Sequence, residues 1–219
     1  MTVAHPGEPG SPVRRRGRPP ATGHGAADTA ARIHAAALEL FAERGFHATG
    51  VAEIGARADV QRGALYYHIG SKEELLWQIL GGYTRLLLAE AERLVATAAD
   101  PVLILRLLIR GQVELIITHR RAVTVHLRDA TALTGARAAE LQQLRDRLRG
   151  RWQEVIDAGH AAGQLRSDDH VVTRGILGML DSLALWYRER GEHSPAEIAD
   201  LLTETVLSGL LAAGDNTKG

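Results

Sequence analysis

The chain has 219 residues, a formal net charge of zero, 45% apolar residues and no cysteine. That length can bury a sizeable core as one large or two small domains, and the missing cysteines exclude disulfides, thiolate metal sites and cysteine nucleophiles. Charge is uneven: residues 1–72 hold nine Lys/Arg against six Asp/Glu, whereas residues 73–219 hold seventeen against twenty, the pattern of a basic front and an acidic remainder.

Residues 1–27 are rich in Pro, Gly, Ala and Ser and carry no helical period, which predicts a disordered arm. Arg14, Arg15, Arg16 and Arg18 have no apolar stretch behind them, so the arm is not a signal peptide. Within it, Arg15-Arg16-Gly17-Arg18-Pro19 resembles the core of an AT-hook. Arg16 and Arg18 then either enter a narrow A·T-rich minor groove or belong to a solubilising tail; both readings stay open.

Asp28 or Thr29 can cap a first helix that runs to about Arg44, with Ile33, Ala37, Leu40 and Phe41 as its apolar stripe and Gly45 as its stop. Val51, Ile54 and Ala58 then recur at helical spacing, Ala58-Asp59-Val60 breaks the pattern, and a second short helix follows from about Gln61 to Ile69. Two short helices joined by so few residues form a helix-turn-helix, whose second helix enters the DNA major groove. Val60, Leu65 and Ile69 face inward, while Gln61, Arg62, Ala64, Tyr67 and His68 face outward with a charge and hydrogen-bonding groups suited to bases and phosphates. For Tyr66, core and DNA contact both stay open.

Ser71-Lys72-Glu73-Glu74 is a capping box that starts the next helix, reaching about Thr97. Lys72 in its first turn is poorly placed for the helix dipole but well placed to meet a phosphate. Asp100-Pro101 starts a helix that is apolar nearly all round except for Arg106 and Arg110, which predicts a buried central helix. A short helix follows at about Arg121–Asp129, then a break at Thr131–Gly135. A long charged helix then covers about Ala136–Ala162, with Leu141, Leu144, Leu148, Trp152, Val155 and Ile156 inside. Its run Arg145, Arg147, Arg149 and Arg151 reads as a solvated face paired with Asp146 and Glu154. Ser167 or Asp168 caps a helix to about Arg190, and Ser194-Pro195-Ala196-Glu197 starts the last one. No strand signal, internal repeat or membrane-length apolar run appears. The fold class is all-α: a helix-turn-helix domain over 28–71, a larger helical ligand-binding and dimerisation domain over 72–213, and a tail over 214–219.

The stretches A-E-R-G-F-H-A-T, V-A-E-I-G-A-R-A and G-A-L-Y-Y-H-I-G-S-K-E-E-L-L resemble the N-terminal domain of TetR-family transcriptional repressors over roughly Arg32–Leu80. Gly63, Leu65, Tyr66, His68, Ser71, Lys72, Glu73 and Leu75 sit at the family's spacing. Departures are Gly50 for Thr, Gly55 for Ala, Asp59 for Gly, Gln61 for Ser and Ile69 for Phe; they bear on domain stability and base preference. The resemblance implies DNA contacts from Thr49, Gln61, Arg62, Gly63, Ala64, Tyr66, Tyr67, His68 and Lys72. It also implies homodimers paired through the two C-terminal helices, a duplex operator with pseudo-palindromic half-sites, and a small-molecule effector in the C-terminal domain. L-A-L-W-Y-R-E-R-G-E-H-S-P-A-E-I-A-D-L-L is similar to the subgroup that controls fatty-acid and steroid-ring degradation and answers to acyl-CoA thioesters. The competing implication is a regulator of efflux or detoxification genes answering to neutral or cationic hydrophobic compounds.

Arg106 and Arg110 on the apolar helix, with His126 and Arg128 on the next, suggest an apolar pocket with a cationic entrance. The alternative pairs those arginines with Asp129, Glu114 or Asp181. Trp152, Met179 and Trp186 are core residues first, and pocket residues where core and pocket are contiguous. His119, His126 and His160 lack metal-ligand spacing. No G-x-S-x-G, phosphate loop or metal cluster points to an enzyme, and a reading helix neither acidic nor apolar argues against a protein adaptor. The expected cofactor is none, the expected place the cytoplasm, on the nucleoid, away from any membrane.

Overall fold

A computed structural model describes residues 23–97 and 100–211, apart from the side chains of residues 23–26 and Arg62. Arg16, Arg18, most of the N-terminal arm and the 214–219 tail lie outside the described residues. The helices are α1 Gly23–Arg44, α2 Val51–Arg57, α3 Arg62–Ile69, α4 Lys72–Val95, α5 Pro101–Thr118, α6 Arg120–Asp129, α7 Gly135–Ala161, α8 His170–Asp181, α9 Leu183–Trp186 and α10 Pro195–Leu210. A 3₁₀ turn, Ala130–Ala132, joins α6 to α7. Among the described residues there is no strand, and no helix is long and apolar enough to cross a membrane.

α1 starts at Gly23, several residues before the expected Asp28 or Thr29 cap. Ala26 and Ala27 are strong helix formers and nothing there interrupts the backbone ladder. It ends at Gly45, whose φ of +93° suits glycine. A Cβ at Gly45 would also meet the Arg128 guanidinium at 3.4 Å. Ile33, Leu40 and Phe41 of α1, Ile54 of α2 and Leu65 and Ile69 of α3 are buried together. The Phe41 and Phe46 rings meet edge-on at 5.4 Å.

The capping signals work in part. Ser71 Oγ accepts from the Glu74 amide at 3.0 Å, but Glu74 does not return the bond: its carboxylate pairs with Arg137 of α7 at 2.9 Å. Glu73 instead accepts from the Thr134 amide ahead of α7 at 2.8 Å. The Ser194–Glu197 box is complete. α8 is capped by Asp169, one or two residues beyond the expected cap, its carboxylate accepting from the Val171 amide.

α5 is the centre of the C-terminal region, packed against α4, α6, α7, α8, α9 and α10. Leu105, Leu108, Ile109, Val113 and Ile116 are buried there, as an all-round apolar helix requires. The helix expected to reach Arg190 stops at Asp181, resumes for one turn and ends at Tyr187, which is extended. Side chains take the carbonyls that a continuing helix would use. Ser182 Oγ donates to Met179 O at 2.6 Å, Arg120 Nε to Ala184 O at 3.1 Å, and Arg188 to Tyr187 O at 3.0 Å.

Candidate functional site

The reading head is built by the loop geometry around α2 and α3. Asp59 sits in the turn between them with φ +53°, a left-handed conformation that costs most side chains but that Asp tolerates. Arg32 of α1 clamps the turn: its Nη2 donates to Ala58 O and, at 2.7 Å, to Asp59 O. Asp59→Gly should therefore raise stability by about 0.5–1 kcal/mol, because the strain is relieved while the backbone clamp remains. Urea midpoints of the two proteins check this, and no gain would mean that the turn is unstrained.

This frame buries Leu65 and Ile69 and exposes Gln61, Gly63, Ala64 and Tyr66, with Tyr67 86% exposed and His68 partly so. Tyr67 and His68 touch edge-on, ring centroids 5.3 Å apart. Arg62 opens α3. One expected contact is corrected. Thr49 is only 1% exposed; its hydroxyl donates to Gly45 O at 2.8 Å and to Leu40 O at 3.3 Å, so it closes the α1–α2 loop from inside and its side chain cannot touch DNA. Lys72 commits two of its three N–H donors to the protein. Its ammonium donates to Phe46 O and Thr49 O, both at 3.0 Å, and lies 4.4 Å from the centre of the Phe46 ring. It ties α4 to the loop that carries the reading head.

A cavity of about 490 Å³ lies among α4, α5, α6, α7 and α8, within the usual range for small-molecule sites. Leu87, Val123, Leu127, Leu148 and Leu177 supply apolar wall; Tyr83, His126, Arg145, Arg149, Arg174 and Asp181 supply polar groups. Arg145 Nε and Nη2 face His126 Nε2 at 3.1 and 2.7 Å. Burial, then the Arg145 charge, lowers the His126 pKa to about 3. Burial raises Asp181 to about 6, against the opposing pull of Gln112 and Arg145. Burial, with Arg149 beside it, lowers the Arg145 pKa, and Asp181 counters that.

Of the expected pocket residues, the structure brings only His126 to this cavity. Arg106 pairs with Glu204 at 2.9 Å and Arg110 with Asp200, both on α10, so these guanidinium groups face α10 rather than the cavity. Neither takes the expected partners Asp129, Glu114 or Asp181. Arg128 turns the other way, donating to Phe41 O, to Ala42 O at 3.3 Å and to the Asp129 carboxylate. Trp152 is 1% exposed core, Met179 packs against the core, and Trp186 lies on the surface with Nε1 donating to Ser182 Oγ at 3.3 Å. None of the three lines the cavity. Arg147, Arg149 and Arg151 do make surface pairs, with Glu92, Asp146 and Glu154. Arg145 leaves that run, and a signal existed: it stands four residues after Leu141 and three before Leu148, in the register of the inner stripe. Tyr83 and Asp181 share inner registers with Ile79 and Leu87, and with Leu177, in the same way.

Comparison with known proteins agrees with this geometry. Residues 33–79 match the bacterial regulatory proteins of the tetR family, and residues 98–210 match the tetracyclin repressor-like C-terminal domain. The chain is 32% identical over 177 residues to the HTH-type transcriptional repressor KstR2 of Rhodococcus jostii (strain RHA1), covering 80% of this chain and 87% of that one. The structure of the ketosteroid transcriptional regulator KstR2 of Mycobacterium tuberculosis superposes with a TM-score of 0.78 at 28% identity, over 84% of this chain and 95% of that one. AibR, solved in complex with isovaleryl coenzyme A and operator DNA, superposes with a TM-score of 0.74 at 26% identity, over 81% and 97%. The matched families and the KstR2 relatives are transcriptional regulators and not enzymes. With a helix-turn-helix at its front and a matched C-terminal domain over half its length, the chain belongs to the TetR family of bacterial transcriptional regulators.

Proposed function

We propose that the protein is a cytoplasmic repressor that holds a pseudo-palindromic operator as a homodimer and lets go when an acyl-CoA thioester enters the α4–α8 cavity. The observation that carries this reading is the cavity itself: an apolar wall together with Arg145, Arg149 and Arg174, a combination that suits an acyl chain with an anionic carrier. AibR, a structural relative, was solved with a CoA thioester and operator DNA. Arg149 is paired with Asp146, and Arg145 and Arg174 still stand against the single carboxylate of Asp181 in that wall, which disfavours the cationic compounds of the efflux alternative. Gln61, Arg62, Gly63, Ala64, Tyr66, Tyr67 and His68 form the operator-reading set of a unit spanning 28–71, and 72–213 forms the regulatory unit. Each chain has one reading helix, whereas a palindrome needs two. Exposed Val171 on α8 and Leu201 on α10 give these helices apolar surface for a partner copy.

α6 supplies the link between the two sites. Val123, His126 and Leu127 line the cavity, while Arg128 and Asp129 bond α1 and the Phe46 amide. An effector that binds better to a displaced α6 shifts the population away from the DNA-competent arrangement.

The test is a gel shift on the native operator with CoA thioesters, free fatty acids and neutral hydrophobic drugs. Release by CoA thioesters is expected; release by neutral drugs alone would reject the acyl-CoA reading and keep the repressor. Arg62→Ala should relax preference at one position per half-site, an effect of about 1–3 kcal/mol where arginine reads guanine. An even loss across operator variants would assign Arg62 to the backbone instead.

A further inference from the structure

Two polar groups in the cavity wall stand without a partner. Tyr83 is 6% exposed, and its hydroxyl has no hydrogen-bond partner among the described residues. His126 Nδ1 is buried and likewise without a partner there. The rings meet edge-on, centroids 6.2 Å apart, and both line the cavity. Buried polar groups are nearly always paired, because leaving one unpaired is costly, so two neighbouring orphans in one wall call for an explanation.

Their chemistry narrows what they can receive. A guanidinium has only donors, so His126 Nε2 must accept from Arg145. A neutral imidazole with Nε2 accepting carries its proton on Nδ1. Burial and the adjacent Arg145 keep the ring neutral, and the guanidinium behind it polarises the Nδ1–H bond. Burial, then Asp181, raises the Tyr83 pKa well above its ordinary value, so the phenol keeps its proton. The wall therefore offers two neutral donors on rings that meet edge-on. Asp181 stands in the same wall and offsets Arg145 beside it, so these neutral donors suit an uncharged acceptor.

We propose that Tyr83 Oη and His126 Nδ1 together donate to one carbonyl oxygen of the effector, the oxygen of a ketone or of a thioester. This rests on the reading of the cavity as the effector site. Arg145 does not touch that oxygen; it positions His126 by fixing its tautomer. The bond is worth more to the complex than an exposed one, since both donors are already desolvated and ordered.

The experiment uses the full chain and two matched ligand pairs, read by calorimetry. One pair is hexanoyl-CoA and the thioether S-hexyl-CoA, which differ at the carbonyl. The other is 2-decanone and 2-methyl-1-decene. The carbonyl member of at least one pair should bind about tenfold tighter or more. Tyr83→Phe keeps the buried ring and should bring that ratio close to one. His126→Gln retains an acceptor for Arg145 and an amide donor, and should keep part of the ratio. Preference in the ketone pair with no binding of either CoA compound would uphold the carbonyl seat and reject the acyl-CoA reading. Equal binding within both pairs, a preference that Tyr83→Phe leaves intact, or no binding of any probe would overturn the seat.

Discussion

Asp129→Ala is expected to lower stability by about 2–4 kcal/mol and to blunt effector release. Asp129 is 6% exposed. Its carboxylate accepts from the Phe46 amide at 3.2 Å and from Arg128 Nε and Nη2 at 3.2 and 3.1 Å. Arg128 also donates to Ala42 O and to Phe41 O, which already accepts from the Gly45 amide, at the C-terminal end of α1 where the helix dipole favours a cation. Removing the carboxylate leaves the Phe46 amide buried without an acceptor and Arg128 without its counter-charge. In a chain of this size the loss corresponds to a fall of roughly 5–15 °C in melting temperature. Since α6 also lines the cavity, the same change cuts one of its bonds to the reading head, the one to the Phe46 amide, and more effector should be needed to release DNA. Asp129→Asn, which keeps an oxygen for the amide, should fall between. Circular dichroism melts and effector titrations on bound operator measure both effects. A variant that melts like wild type would show that this contact holds nothing together, and unchanged release would remove the Asp129–Phe46 bond from the link.

His126 and Asp181 should titrate in opposition, so that each single variant reveals a pH dependence that the wild type hides. His126 has a folded pKa near 3, against an ordinary value of 6.5. As pH falls through 6.5 the unfolded chain takes up a proton that the folded one refuses, and stability is lost progressively toward pH 3. Asp181 has a folded pKa near 6, against an ordinary 3.8. As pH falls through 6 the folded chain takes up the proton first, and stability is regained until about 3.8. Each pH unit between folded and unfolded values corresponds to about 1.4 kcal/mol at most. Between about pH 6 and 4 the two contributions nearly cancel. Asp181→Asn removes the compensation and should lose an extra ~2–3 kcal/mol on acidification across that window. His126→Gln should instead gain by a similar amount. Urea unfolding at about pH 4.5, 5.5 and 7, with wild type as the reference for all other carboxylates, gives the answer. Parallel pH profiles for the three proteins would show that neither group is buried in the way the cavity places it.

Much of this architecture is local chemistry, and local chemistry is legible in a linear chain. Val51, Ile54, Leu65 and Ile69 mark the inward faces of α2 and α3 by spacing alone. Ser194-Pro195-Ala196-Glu197 forms its complete cap, because all its partners lie within one turn. The all-round apolar character of α5 placed it at the centre without reference to any neighbour. By contrast, the early end of α8 and α9 depends on Arg120 reaching Ala184 O, sixty-four residues away in sequence, and no run of side chains near Trp186 announces it.

The arginines divide the two kinds of information most clearly. Periodicity determined that Arg106, Arg110, Arg128 and Arg145 all sit on helices around a regulatory core. Only the tertiary structure decided where each guanidinium points: Arg106 and Arg110 to α10, Arg128 to carbonyls 86 and 87 residues earlier, and Arg145 to His126. Lys72 belongs with them, placed by its cap and redirected by the loop at Phe46 and Thr49. The reason is physical. A long cationic side chain at a half-buried register can reach water or turn inward with little difference in its own free energy. The choice is made by whichever carbonyl or carboxylate the fold brings within hydrogen-bonding distance.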